Sequence, residues 1–264
     1  MSRDFSAATD KIDAGSATAI DDLGAAAFTA FAWIRPDSTG ASGTGRIFDK
    51  RPSNQLGGWI FYADVTNSLG FGTVDSGGSI LANQRGADSA ITLDVWNAVA
   101  VTYDDAGDRR GNIYVGGSEI SYDADDAGAS SPATDASGSL FIGNNSNDNR
   151  NFDGEIEWGA IWDVVLSANE LQSLADGICP LYIRPQNLVR CFPLWGTHSP
   201  EIDLSNNSSV LSPVTGTTRG AGSAPVMWSM PVTQTLDITA VSNWGKANPI
   251  IGPFGGPLSG PIGF

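Results

Sequence analysis

Three acidic side chains at alternate positions, Asp153, Glu155 and Glu157, are the first feature of this 264-residue sequence that could do chemistry. Alternate residues of an extended strand point to one face. Two carboxylates flanking a glycosidic bond are the machinery of glycoside hydrolysis, one as nucleophile and one as acid. Gly159 and Ala160 stand where a further acid would be needed, so the three read as a solvated acidic strand face. Oxygen-rich runs at Asp104-Asp105-Asp108, Asp123-Asp125-Asp126 and Asn144-Asn145-Asn147-Asp148 carry the donor types that Ca2+ takes. None has the spacing of an EF-hand loop, and Asp and Asn are also good turn residues. No cofactor is expected; a structural Ca2+ is the one candidate ion, with Asp104 and Asn144 as its candidate ligands. His198, the sole histidine, has no evident Ser or Cys partner, and neither a Gly-x-Ser-x-Gly elbow nor a Gly-Lys-Ser/Thr phosphate loop occurs. The expectation is a chain that is not an enzyme.

The elements that would position these residues are strands. Phe28–Arg35 (FTAFAWIR) is aromatic and β-branched, stops at Pro36, and reads as a largely buried strand. Arg46–Lys50, Gly58–Val65, Leu69–Val74 and Trp96–Tyr103 follow, separated by turn residues; Ile80–Gln84 and Ile91–Leu93 are weaker. Ile113–Val115 runs into Gly116-Gly117, a hairpin turn. Residues 123–138 are small and polar and read as a long loop. In Phe152–Trp162, period two puts Phe152, Gly154, Ile156, Trp158, Ala160 and Trp162 on a core face. Asp153, Glu155, Glu157 and Asp163 fall on a wet one, with Ile161 the exception. One helix is marked: Ser167-Ala168-Asn169-Glu170 is a capping box, Leu171 and Leu174 form an apolar side, and Gly177 supplies the stop. Leu188–Leu194 reads as a returning strand. Many short strands with one helix predict an all-β, antiparallel two-sheet sandwich over 1–195.

Beyond it, 196–226 reads as a loop-rich connection, and 227–264 changes character. Its only charges are Asp237 and Lys246, and its last sixteen residues, PIIGPFGGPLSGPIGF, repeat Pro and Gly around apolar side chains. Such a segment can be neither helix nor central strand, yet it is too apolar for a solvated linker. It reads as an extended arm buried against a partner, with Trp228, Trp244, Ile250, Ile251, Phe254, Leu258 and Phe264 as the partner-binding residues; interface hot spots favour Trp. The other six tryptophans sit in strand patterns and read as packing.

A net charge of −15 excludes a phosphate-tracking nucleic-acid binder and docking on anionic lipid. Cys179 and Cys191 are too few for a disulfide framework; they would pair only if they meet across strands, and otherwise read as two buried thiols. The N-terminal residues lack the pattern of a secretory signal, and no run is long and apolar enough to span a membrane. The expectation is a protein made in a cytoplasm.

In this order, FTAFAWIRP (28–36), WNAVAVTYD (96–104), NIYVGG (112–117), LFIGNN (140–145), FDGEIEWGAIWDVVLSANELQSL (152–174) and LVRCFPLW (188–195) resemble a laminin-G-like, concanavalin A-like jelly-roll domain. The resemblance covers about residues 4–195. It implies the sandwich and, at a sheet rim, a place for Ca2+; it does not imply one function, because the fold hosts lectins, adhesion modules, enzymes and virion proteins. Its glycosidase members carry Glu-x-Asp-x-x-Glu on one strand, which Glu155-Ile156-Glu157-Trp158-Gly159-Ala160 begins but does not complete. By analogy, the fold, the lack of a secretory signal and the apolar arm suggest a tailed-phage virion protein. It would be a head decoration or cement subunit, homo-oligomeric and attached by the arm to the major capsid protein or another virion subunit. The alternative is a carbohydrate-binding, lectin-like module of a phage fibre or surface protein, with glycans as partners.

Overall fold

The computed structural model describes residues 1–196, 199–205, 210–214 and 216–227, the stretch 210–214 by its backbone. In chain order the strands are β1 (Arg3–Asp4), β2 (Lys11–Asp13), β3 (Ala27–Pro36), β4 (Arg46–Asp49), β5 (Trp59–Asp64) and β6 (Ser68–Val74). Then come β7 (Ile80–Gly86), β8 (Asn97–Asp104), β9 (Asn112–Val115), β10 (Ser118–Glu119), β11 (Tyr122–Asp126) and β12 (Phe141–Ile142). The last are β13 (Gly154–Trp162), β14 (Leu188–Phe192), β15 (Glu201–Ile202), β16 (Val210–Val214) and β17 (Thr218–Arg219); the α-helix α1 (Ala168–Ala175) lies between β13 and β14.

They form the two antiparallel sheets of a jelly-roll sandwich. One sheet has the order β10-β9-β8-β3-β13-β1-β17, with β14 also on β13; the other runs β11-β7-β6-β5-β4-β12-β2-β16-β15. Between them lies an aromatic core in which the Phe28 and Trp59 rings are 4.7 Å apart and Phe71 and Tyr103 5.5 Å apart. Burying each such ring contributes roughly 1.5–3 kcal/mol. The 28–36 run forms its strand as expected, and it is apolar throughout because both of its faces are covered. Phe28, Ala30, Ala32 and Ile34 enter the inter-sheet core. Phe31 and Trp33 enter a second apolar cluster on the far side of the same sheet, under Leu166, Leu171, Leu174, Leu188 and Ala224.

The helix forms where the capping box predicts, with Ser167 and Glu170 bonded reciprocally and Gly177 at φ 90° just beyond its end. Cys179 and Cys191 are both buried and free in the second cluster. Tyr122–Asp126, within the stretch read partly as loop, pairs with β7 as an edge strand, whereas Ile91–Leu93 forms no strand. β15, β16 and β17 lie in the 196–226 segment, and two of them extend the second sheet while the third borders β1.

Of the acidic side chains expected to be wet, Asp163 is exposed, but Glu155 and Glu157 on β13 are dry. β13 carries one extra residue against β3: Glu157 stands opposite Trp33, but Ala160 stands opposite Phe31. Trp158 takes the left-handed conformation, φ 55°, at this bulge. An inserted residue reverses the alternation beyond it. Ile156 and Ile161 therefore both face the inter-sheet core, which explains the exception in the pattern, while Trp158, Ala160 and Trp162 join Glu155 and Glu157 on the outer face. The segment 220–226 covers that face. Glu155 accepts the Gly222 amide at 3.0 Å, is bonded by the Ser2 hydroxyl, and pairs with Arg35 at 3.2 Å. Glu157 accepts the Ala224 amide at 2.6 Å and lies 3.7 Å from the Met1 amino group. Burial pushes the Glu157 carboxyl up to about 7, against the opposing pull of the Ala224 amide and the amino group.

Candidate functional site

A second bulge builds the most distinctive polar surface. In β4, Arg46 stands opposite Tyr62 and Phe48 opposite Phe61, so Ile47 is the extra residue. Ile47 and Phe48 both enter the core. Arg46 and Asp49, three apart and on opposite faces of a regular strand, consequently share the outer face. Asp49 is fully buried and organises its neighbours: it accepts Nε and Nη2 of Arg51 at 3.1 and 2.6 Å, the Arg51 amide at 3.1 Å, and Nε of Arg46 at 3.2 Å. The Arg46 guanidinium lies 5.1 Å from the Tyr62 ring centroid and also donates to the Thr44 carbonyl at 2.9 Å. The Tyr62 ring in turn lies across Gly70, where any Cβ would meet it at 2.1 Å, so glycine is required for that close approach.

The facing wall is the asparagine-rich loop 143–151. Asn144 is its buried keystone. Its carbonyl oxygen accepts the amides of Asn145 and Arg150 at 2.9 and 3.0 Å, and its NH2 donates to the Ala8 carbonyl at 3.0 Å. Asn145 and Asn149 brace each other twice, at 2.9 and 3.2 Å. Gln55 donates to the Ser146 hydroxyl at 2.9 Å and ties in the 52–56 turn. Lys11 anchors the loop from outside, 3.2 Å from the Ser146 carbonyl and 2.6 Å from Asp148, with its ammonium 5.1 Å from the Phe141 ring centroid.

Between these walls is a cleft of about 240 Å3 lined by Arg46, Arg51, Gln55, Asn145, Asn147, Asn149 and Arg150. Their own bonds leave donors over: among the described residues Nη2 of Arg46 and Nη1 of Arg51 have no partner, and neither is closed off from solvent by them. Among the described residues the Arg150 guanidinium bonds only the Asn149 carbonyl, at 2.9 Å, and has no ion pair. Burial draws the Arg46 guanidinium down to about 10, and the neighbouring Arg51 cation adds to this against the pull of Asp49.

Of the two metal ligands predicted from sequence, Asn144 braces one wall of the cleft without lining it, and Asp104 lies elsewhere. Asp104 ends β8 in the first sheet, caps the 104–107 turn by accepting the Ala106 amide at 3.0 Å, and borders a separate cleft of about 280 Å3 with Tyr103, Asp108 and Asn112. Asn144 lies in the loop after β12 of the other sheet, its oxygen committed to two amides, so the two do not act together. Among the described residues, no group of three or more His, Cys, Asp or Glu is arranged to hold a metal ion. Trp228, Trp244, Ile250, Ile251, Phe254, Leu258 and Phe264, like His198, lie outside the described residues. Sequence reasoning picked out the 144–148 run for its oxygens but missed the arginines opposite. The available signal was Arg46, Lys50 and Arg51 within six residues of a chain with only 14 Lys and Arg.

Residues 8–172 match the family described as the Concanavalin A-like lectin/glucanases superfamily, of laminin G type. No curated protein matches the chain. Among solved structures, a protein from Bacteroides ovatus ATCC 8483, provisionally named as carbohydrate binding, is similar with a TM-score of 0.60 at 18% identity, over 86% of this chain and 61% of that one. The chain thus spans less than two thirds of that protein. The carbohydrate-binding module CBM40 of a Ruminococcus gnavus IT-sialidase, bound to α2,3-sialyllactose, has a TM-score of 0.47 at 16% identity, over 62% of this chain and 93% of the module. A SAP-like pentraxin from Limulus polyphemus has a TM-score of 0.41 at 19% identity, over 64% and 83%. At such identities the likeness concerns the fold.

Proposed function

The chain belongs to the concanavalin A-like lectin/glucanase superfamily, and we propose that it is a non-catalytic carbohydrate-binding module whose ligand sits in the cleft between β4 and the 143–151 loop. The observation that carries this is the cleft itself: guanidinium and carboxamide groups, held rigid by Asp49 and Asn144, with donors left over. A sugar ring presents several hydroxyls that both donate and accept, and carboxamides do the same. Small-molecule sites combine a concave surface with a few fixed polar groups. At about 240 Å3 the cleft suits one sugar residue at the end or side of a glycan.

The non-catalytic part of the reading is supported by Glu155 and Glu157, whose carboxylates are engaged by the Gly222 and Ala224 amides under the 220–226 segment. A head-decoration role would rest on the 227–264 arm, and no observation favours it over glycan binding. The test is a glycan array probed with the full chain and with Gln55→Ala/Asn147→Ala, both with and without Ca2+. Binding by the parent that the variant loses is expected, since removing hydrogen bonds of about 1 kcal/mol each weakens a small ligand by roughly tenfold or more. Equal binding by both, at any glycan, refutes this site.

A further inference from the structure

We propose that this cleft is built for a carboxylate-bearing sugar residue, of the uronic or sialic acid kind, with the arginines receiving the carboxylate and the amides the ring hydroxyls. The inference rests on the glycan-binding reading and names its ligand class. Three guanidiniums line the cleft, and no acidic side chain among the described residues does. The one carboxylate they share, Asp49, spends its oxygens on Arg51 and on Nε of Arg46. Arg150 has no carboxylate among the described residues at all. Three cations against one anion leave a local surplus of two positive charges in a chain whose net charge is −15.

A surplus of this kind is costly to hold in a partly desolvated cleft unless something relieves it. The Arg46 and Arg51 guanidiniums are fixed on the same carboxylate, each with one N–H2 group unengaged by the described residues. A neutral sugar could use those donors but would leave the charge unmet. A carboxylate meets the charge as well, accepting a charge-assisted hydrogen bond from a free guanidinium N–H2 group. At the rim Asn147 leaves its NH2 for hydroxyls, and Gln55, whose NH2 is held by the Pro52 carbonyl and the Ser146 hydroxyl, leaves its carbonyl oxygen; a bare inorganic anion would not need the latter.

The test is isothermal titration of the full chain with D-galacturonic acid, D-glucuronic acid and N-acetylneuraminic acid, each beside its methyl ester, and with galactose 6-sulfate and sodium sulfate. At least one acid should bind at least about tenfold more tightly than its ester, as expected for a charge-assisted hydrogen bond. That binding should weaken about tenfold in Arg150→Gln and fall as salt rises. The Arg150 side chain makes a single bond, to the Asn149 carbonyl, and its backbone bonds survive replacement, so Arg150→Gln leaves the fold supported; the ester comparison needs no variant. An ester that binds as well as its acid overturns the acid inference and leaves the glycan reading standing. Binding of the sulfates without the acids also overturns it. Binding of no sugar, acidic or neutral, defeats both.

Discussion

Removing the Asp49 carboxylate should be the most damaging single change to the site. Asp49 is wholly buried, and Arg46 and Arg51 are only 6% and 8% exposed. Asp49→Ala deletes four hydrogen bonds, two of them within the 2.6–3.1 Å fork to Arg51, and leaves two guanidiniums without a counter-charge. Stranding a buried charge costs about 3–5 kcal/mol. Because an edge of each guanidinium still meets water, the expected loss is at the low end, about 3 kcal/mol. Asp49→Asn keeps the shape and an acceptor and should lose about half as much. The triple change Asp49→Ala, Arg46→Met, Arg51→Met should recover much of the loss, because the stranded charges go too. Urea unfolding of the full chain at pH 7, followed by tryptophan fluorescence and circular dichroism, measures all three. A loss below about 1 kcal/mol for Asp49→Ala, or a triple variant weaker than the single one, would refute the reasoning that this carboxylate holds the arginines in place.

Two further outcomes test other buried charges. The Glu157 carboxyl stands above its ordinary 4.5, at about 7, so the folded chain holds its proton more tightly than the unfolded one. Its stabilising contribution is full below about pH 4.5 and is lost as pH rises through 7. At about 1.4 kcal/mol per pH unit the loss is at most about 3 kcal/mol, and Glu157→Gln should abolish that slope in denaturant melts between pH 4.5 and 7.5; an unchanged slope in the variant counts against it. Lys50, wholly buried, donates to the Asp135 and Gly138 carbonyls at 2.9 and 2.7 Å and pairs with Asp21 and Asp135 at 3.1 and 3.2 Å. Lys50→Met should cost about 3–5 kcal/mol and speed proteolysis within 130–138. It should also raise the Asp135 carboxyl, already at about 6 through burial, so that stability falls more steeply as pH climbs through 6. Parent-like proteolysis would contradict this tether.

The sandwich was legible because its strands are long, apolar and punctuated by turns. The helix was legible because a capping box and a terminal glycine are local signals. The site was not. Reading Glu155 and Glu157 as wet assumed unbroken alternation and an open sheet face; the bulge at Trp158 broke the first assumption and the 220–226 segment broke the second. The same blindness hid Arg46 and Asp49, since strict period two puts residues three apart on opposite faces. Asn144 was picked out for its oxygens, but whether an amide oxygen meets a metal or two backbone N–H groups depends on how the loop folds back.

What the sequence determined by itself was the local part: strand propensity, turn chemistry and the helix cap. The tertiary structure alone decided parity and cover, namely which side each strand residue faces after a bulge and which sheet face a distant segment closes over. One inserted residue reverses every side chain beyond it at almost no cost in composition. The cleft that carries the proposed function exists because Ile47 is such a residue and because a loop nearly 100 positions later packs beside it.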